Sequence, residues 1–323
     1  MHLSYMQHSI NVIFACILVT LVIFLDNVHG FSVKNVIDSP LLTQKIQTNR
    51  TIKVDANGQG DFKSVQAAID SVPNGNSNWI IIHVTKGIYR EKVHIPRNKP
   101  YIFMRGNGRG RTAIVWSENS ENNYQSATFK VEAPYFVAFG ISFKNDAPTG
   151  IAHTSQNQSV AALVGGDKAA FYHCGFFSSH NTLFDYKGRH YYDNCYIQGS
   201  IDFIFGRGQS IFHDCEIFVI ANKRHEIRGS ITANSRQSAK ESSGFSLCQG
   251  EGLWHWTVIP QGWTNWSYPG STDNLDQAEY KCHGPGSAST NRATWSKQLS
   301  DKEAAPFLSV DFIKGKEWLP AWL

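Results

Sequence analysis

Cys174, Cys195 and Cys215 stand 21 and 20 residues apart, and each sits in the same setting. The settings are Phe171-Tyr172-His173-Cys174-Gly175-Phe176, Tyr192-Asp193-Asn194-Cys195-Tyr196-Ile197 and Phe212-His213-Asp214-Cys215-Glu216-Ile217. Thiols repeated in this way could cross-link, and with His173 and His213 beside them they could hold a metal. A constant offset near 20 with strand-like content is the mark of a β-solenoid, in which no coil can bury its own apolar face and neighbouring coils share one core. Equivalent residues of adjacent coils then lie about 4.8 Å apart. That spacing suits a ladder of thiols or a disulfide between coils. Stacked repeats make such columns without any ligand, so no metal and no cofactor is expected.

The surrounding sequence supplies the elements that a solenoid needs. Short apolar runs alternate with Gly and Asn: Trp79–Val84, Lys92–Ile95, Tyr101–Arg105, Ala113–Trp116, Ala127–Val131 and Phe136–Phe143. No long helical pattern interrupts them, which excludes alternating βα units. Ahead of them, Phe62, Val65, Ala68, Ile69 and Val72 recur at helical spacing until Pro73, with Asp61 or Ser64 as candidate N-cap. Near the end, Ser300-Asp301-Lys302-Glu303 has the form of a capping box, before a segment expected to close the solenoid.

Composition bounds the class. The chain has 323 residues, 41% hydrophobic and 13% aromatic, which fits a globular protein of one large core. Val12 to Leu25 is an apolar run too short to span a bilayer, so residues 1–30 read as a signal peptide and no membrane segment is expected after its cleavage. Residues 31–50 read as a short polar connector, and 51–323 as the solenoid domain. Asp26 is the only charged residue of the leader, so 30 basic residues face 25 acidic ones beyond it, a net charge of +5. That suits an acidic polymer as partner, and no dense basic stripe of the nucleic-acid kind exists. Secretion permits disulfides, but Cys16 falls in the leader and leaves five cysteines, an odd number. Sequons for glycosylation stand at Asn49, Asn157 and Asn265.

The segment Asp185-Tyr186-Lys187-Gly188-Arg189-His190-Tyr191-Tyr192 through Gly199-Ser200-Ile201-Asp202-Phe203-Ile204-Phe205-Gly206 resembles the signature of plant pectinesterases. Matches in the same order run through most of the chain: Gly58-Gln59-Gly60-Asp61-Phe62, Gly87-Ile88-Tyr89-Arg90-Glu91-Lys92-Val93, Gly140-Ile141-Ser142-Phe143-Lys144-Asn145 and Tyr280-Lys281-Cys282-His283-Gly284-Pro285-Gly286. The resemblance implies an all-β chain, a right-handed parallel β-helix with a short N-terminal capping helix and a C-terminal closing segment. It implies an extracellular, cell-wall hydrolase for the methyl esters of pectin, working as a monomer, with a proteinaceous pectinesterase inhibitor as a further partner.

That chemistry needs a nucleophile, an acid for the leaving methoxide and donors for the oxyanion. By resemblance Asp202 is the nucleophile and Gln158 an oxyanion donor. The strand-like neighbours of Asp202 argue against a mere turn aspartate. Where the family reads Gln-Asp-Thr-Leu, this chain has His180-Asn181-Thr182-Leu183. Asn181 can donate an N–H but has no titratable proton. His180 is therefore a candidate substitute acid, although strand alternation would aim the two side chains to opposite faces. A second departure is larger. Leu253-Trp254-His255-Trp256 runs almost directly into Ile259-Pro260-Gln261-Gly262-Trp263, where the family inserts an Arg that braces the nucleophile and a Trp that lines the sugar groove. About one coil, roughly 25 residues, is missing, whether from the protein itself or through a misread exon junction. Two other readings follow: a pectin binder that has lost turnover, and a lyase or galacturonase on the same fold.

Overall fold

The structure is a computed structural model that describes residues 37–48, 50–148, 158–220, 230–235, 241–248, 252–253, 260–264, 277–282 and 287–322. Residues 1–30, which read as a signal peptide, the sequon asparagines Asn49, Asn157 and Asn265, and Trp254 and Trp256 lie outside the described residues. Of the two compact units, Met1–Asp38 with Leu323 contributes only residues 37 and 38 to the description, and the rest belongs to Ser39–Trp322.

Each apolar run is a strand of two to five residues that ends where the backbone must turn. All but two of the described strands pair in parallel with their equivalents one coil away, giving sheets of eight, seven and six strands; Ala278–Glu279 and Lys297–Gln298 form a separate pair. The six-stranded sheet runs Val93–Ile95, Phe129–Val131, Ala162–Val164, Leu183–Asp185, Ile204–Gly206, Thr232–Asn234. Inside, like stacks on like: Phe171 lies 5.1 Å from Tyr192, and Tyr192 lies 4.5 Å from Phe212, both face to face. Each such pair contributes about 0.5–1.5 kcal/mol beyond its buried area.

The corners of the coils are columns of left-handed residues. One column holds Gly140, His173, Asn194 and Asp214, at φ of 64, 51, 50 and 50°. Asn, Asp and His tolerate this region better than most residues. Phe136–Phe143, which reads as one run in the sequence, is therefore two strands, Phe136–Phe139 and Ser142–Asn145, split at Gly140. A Cβ at Gly140 would also sit 3.1 Å from the Gly108 nitrogen.

The next position in that corner is the cysteine column, and it corrects the disulfide expectation. Cys174, Cys195 and Cys215 are free, buried thiols. Their Sγ atoms lie 3.4, 3.4 and 3.5 Å from the carbonyls of Tyr172, Phe171 and Tyr192. Identical corners point the three Cα–Cβ bonds in parallel, whereas a disulfide needs a dihedral near 90°. Burial pushes the Cys174 and Cys195 thiols well above the ordinary range. His213 Nδ1 lies 2.8 Å from Asp193. Among the described residues no three His, Cys, Asp or Glu side chains gather as metal ligands would.

Both ends are closed by helices. Val65–Asp70 is capped by Ser64, whose Oγ accepts from the Ala67 N–H at 3.1 Å. The Glu91 carboxylate accepts from the Val65 and Gln66 amides at 2.8 and 2.9 Å, where the helix dipole favours an anion. At the other end, Lys99 Nζ donates to the carbonyls of Ile69, Asp70 and Val72 at 3.1, 2.8 and 2.6 Å. The connector is not patternless: Ser39–Ile46 is a helix that buries Leu42 and Ile46, four residues apart on one face. Its stability comes from that tertiary burial, since eight residues are too few for propensity alone. The C-terminal capping box forms as the sequence predicts, opening the helix Asp301–Leu308. That closing segment is tied to the eight-stranded sheet by hydrogen bonds from Ser246 Oγ to the Phe307 carbonyl and from Gln209 Nε2 to the Phe312 carbonyl, both 2.6 Å.

Candidate active site

The register of the six-stranded sheet places the predicted residues. Ala162 pairs with Leu183, Leu183 with Ile204, and Ile204 with Thr232. Two residues before each of these stand Val160, Asn181, Asp202 and Ser230, one per coil. Asn181 and Asp202 thus occupy the same corner, both left-handed at φ of 58 and 46°.

This corner answers the problem that alternation raised for His180. Residues 178–182 are not a strand; they form the turn between Gly175–Phe177 and Leu183–Asp185. His180 makes a single parallel bridge with Ile201, and the left-handed turn at Asn181 breaks the alternation. The His180 carbonyl accepts from the Ser159 amide at 3.3 Å in the preceding coil. The imidazole is close enough to Asp202 for its positive charge to favour the carboxylate.

Asp202 is half-buried, and burial is the largest influence on it, raising its pKa above the usual carboxylate range. Two weaker effects oppose this: a hydrogen bond donated by Ser230 Oγ to Oδ1, and the His180 charge. Ser230 escaped the sequence reading because no motif marks it; only the coil register brings it over Asp202. Asn181 is 7% exposed, and its carboxamide makes no hydrogen bond to another described residue. It can therefore turn an N–H toward an ester oxygen without breaking a contact.

Gln158 is less tightly gathered. It bridges Ser120, whose amide donates to the Gln158 carbonyl at 3.0 Å, and its Oε1 is buried without a described partner. It stands two coils before Asp202, about 10 Å away along the solenoid.

The outward positions of the same strands carry a small apolar floor, the half-buried Phe184 and Phe205, with Leu163 fully buried beside them and Lys130 charged beyond it. Lys130, Leu163, Phe184 and Phe205 follow one another in register. The rings of Phe184 and Phe205 stack at 4.4 Å and 9°. Phe205 is three residues beyond Asp202, so this floor begins beside the carboxylate. Such a surface suits the C–H faces of a sugar chain.

Much of the signature motif supports this floor from beneath. His190 Nδ1 contacts Asp185 Oδ1 and its Nε2 donates to the Gly166 carbonyl at 3.0 Å, all fully buried. A Cβ at Gly208 would lie 2.0 Å from that Asp185 oxygen, which accounts for glycine there. Arg189 forks onto Asp167 at 3.0 and 2.5 Å.

Comparison with known proteins agrees with this geometry. The sequence model of the Pectinesterase family matches residues 51–254 and 253–316. The two pieces overlap at residues 253 and 254, just ahead of the junction that the sequence singles out. Probable pectinesterase 67 of Arabidopsis thaliana is 56% identical over 341 aligned positions, covering 98% of this chain and 99% of the relative. Those 341 positions exceed the 323 residues of this chain, so the relative carries sequence that this chain lacks. Putative pectinesterase 11 of the same plant is 40% identical, over 83% of this chain and 80% of its own. Among solved structures, the pectin methylesterase from carrot superposes with a TM-score of 0.73 at 27% identity, over 84% of this chain and 94% of its own.

Proposed function

The chain belongs to the pectinesterase family, and from that premise we propose that it hydrolyses the methyl esters of galacturonate units in pectin, giving methanol and a free carboxylate, with Asp202 as nucleophile. The observation that carries this reading is the column Asn181–Asp202–Ser230, which holds one carboxylate at the edge of an apolar floor.

The chemistry follows from what each group can do. The Asp202 carboxylate attacks the ester carbonyl, and the carbonyl oxygen takes up the negative charge. The Asn181 carboxamide, one coil away, donates an N–H to that oxygen. When the C–O bond to methoxide breaks, the methoxide needs a proton, and Asn181 has none to give. His180, as imidazolium, supplies it. The products of this step are methanol, an Asp202–acyl anhydride and a neutral imidazole. The imidazole then takes a proton from water, whose hydroxide opens the anhydride. Asp202 is regenerated as the carboxylate and His180 as the imidazolium. The Ser230 hydroxyl orients the attacking carboxylate throughout.

The leader at residues 1–30 supports export to the cell wall, where this substrate lies. A second reading rests on Asn181 and the missing coil: a protein that keeps the groove and binds pectin without turnover. Methanol release from methyl-esterified pectin decides between them. Release by the wild type that Asp202→Asn abolishes is the expected result. Retention on pectin with no methanol above background would overturn the esterase reading in favour of the binder.

A further inference from the structure

Asn145 ends strand Ser142–Asn145 and is 3% exposed. Its Nδ2 donates to the carbonyls of Glu118, Ser126 and Val160 at 2.8, 2.9 and 3.1 Å. Its Oδ1 accepts from the amides of Glu118 and Ala147 at 3.2 and 3.1 Å. A carboxamide has two N–H donors and one oxygen with two lone pairs, so this side chain is fully engaged. The mechanism above makes no use of it.

Its partners frame Gln158. An antiparallel bridge joins Gln158 to Ser120. In an antiparallel pair, the residue two before Ser120 stands opposite the residue two after Gln158. Those residues are Glu118 and Val160, and the Asn145 carboxamide lies between them, bonded to both carbonyls. Val160 is held from its other side as well. Its N–H donates to Ser126 Oγ at 3.2 Å, and the Ser126 carbonyl is the third on Asn145. One buried side chain therefore fixes both segments that carry the bridge. Gln158 Oε1 is buried without a described partner, so the backbone on either side must aim its carboxamide.

Resting on the esterase reading above, with Gln158 as an oxyanion donor, we propose that Asn145 is a positioning residue for Gln158. A donor stabilises the transition state only if it is aimed before the charge develops. A misplacement of about 1 Å can cost about 10²-fold in rate. Asn145 touches neither the ester nor Asp202; it acts through the segments that carry Gln158. Val160 is also the first residue of the column that continues through Asn181 and Asp202, so the same clamp sets Gln158 against that column. An aspartate cannot take its place, because a carboxylate would turn lone pairs toward three carbonyls.

The test compares methanol-release kinetics of the wild type, Asn145→Ser, Gln158→Ala and the double variant, each checked for folding by circular dichroism. We expect Asn145→Ser to lower kcat about 10–100-fold with KM little changed, since the misplaced bond is made in the transition state. Gln158→Ala should lower kcat about 10²–10³-fold. The double variant should match Gln158→Ala within about twofold, because a donor that is gone cannot be misplaced. Ser126→Ala removes one bond of the clamp and serves if Asn145→Ser does not fold; its smaller loss should also vanish in the Gln158→Ala background. Wild-type kcat in the folded clamp variant, or losses that multiply in the double variant, overturns the proposal. A wild type that releases no methanol fails the esterase reading instead. Hydrogen exchange then decides the inference without turnover, read at the Ser120 amide, which donates to the Gln158 carbonyl at 3.0 Å. The clamp variant should speed exchange there selectively. Exchange unchanged at Ser120, or faster throughout the corner, overturns the proposal.

Discussion

Asn181 and Asp202 are one residue written twice in successive coils: both are left-handed, at φ of 58 and 46°, and the Asn181 amide donates to the Ile201 carbonyl at 3.2 Å. Two carboxylates on adjacent rungs of this ladder would be forced into opposite protonation states, since like charges so close cannot both ionise. An amide on one rung removes that coupling. Asp202 is then governed by burial, Ser230 and the His180 charge.

The first prediction concerns which group carries the proton. Asn181→Asp restores a second titratable group to the column and should raise kcat for methanol release by about 10–100-fold, within the range of general acid catalysis. In the natural chain, His180→Gln should cost about 10²–10⁴-fold, because no other acid among the described residues is placed to serve the site. In the Asn181→Asp background the same change should cost little. A His180→Gln effect of equal size in both backgrounds would show that His180 acts only in placing the corner.

The pH profile offers an independent check. Asp202 must be ionised to attack, so activity should rise through a pKa above the ordinary carboxylate value of about 3.9. On the proposed mechanism His180 gives methanol its proton as the imidazolium, so activity should fall again as pH rises on the alkaline side. His180→Gln should remove the falling limb and keep the rising one. A natural profile that stays flat to alkaline pH would exclude the imidazole as acid.

Stability should move in the opposite sense to activity at Asp202. Its folded pKa is raised, so the native state holds the proton more tightly than the unfolded chain does. Stability is therefore lost as pH rises from the unfolded pKa through the folded one. Asp202→Asn removes that loss while its carboxamide oxygen still accepts from Ser230. The variant should melt higher than the natural protein at neutral pH, on the order of 1–3 °C, with the gap closing near pH 3. Thermal melts at the two pH values measure it. A variant that melts lower at neutral pH would mean that the Ser230 contact outweighs burial.

The solenoid was legible because its repeat is written in the chain: Cys174, Cys195 and Cys215 fell at equivalent positions as their offsets required. Asp202 and Asn181 were legible as motif positions, but their equivalence was not. It depends on register, which no single segment contains. Ser230 was invisible for the same reason, since its only link to Asp202 is one coil of stacking. The disulfide expectation failed because spacing fixes distance but not the direction of Cα–Cβ bonds. The helix Ser39–Ile46 was missed because its evidence is the burial of two residues against a distant part of the chain.

The thiols themselves can be counted. Cys282 is exposed, whereas Cys174, Cys195 and Cys215 are buried. Burial keeps a reagent from the three column thiols. A thiol reagent applied to the native protein should label Cys282 and spare the three column residues, which label only after unfolding. Peptide mapping by mass spectrometry reads this directly. A mass showing any two of the three joined would restore the disulfide.

The missing coil leads to the last prediction. The two pieces of the family match overlap at residues 253 and 254, and the alignment with the Arabidopsis relative holds more positions than this chain has residues. A solenoid takes up an extra coil by nearest-neighbour contacts, so grafting the relative's segment after Leu253 should leave the fold intact. Among the described residues the six-stranded sheet ends on Thr232–Asn234, one coil past the strand beside Asp202, so a grafted coil would extend it on that side. If it brings a guanidinium to Asp202, the carboxylate pKa falls and the rising limb of the pH profile moves to lower pH. The attacking group is then held in place, and kcat should rise by about 10²–10³, the scale of one positioned electrostatic partner. Replacing the grafted arginine with methionine should return both kcat and the pH limb to their starting values. A graft that folds, binds pectin and gains neither would mean that the proton supply at position 181, and not the absent coil, limits this chain.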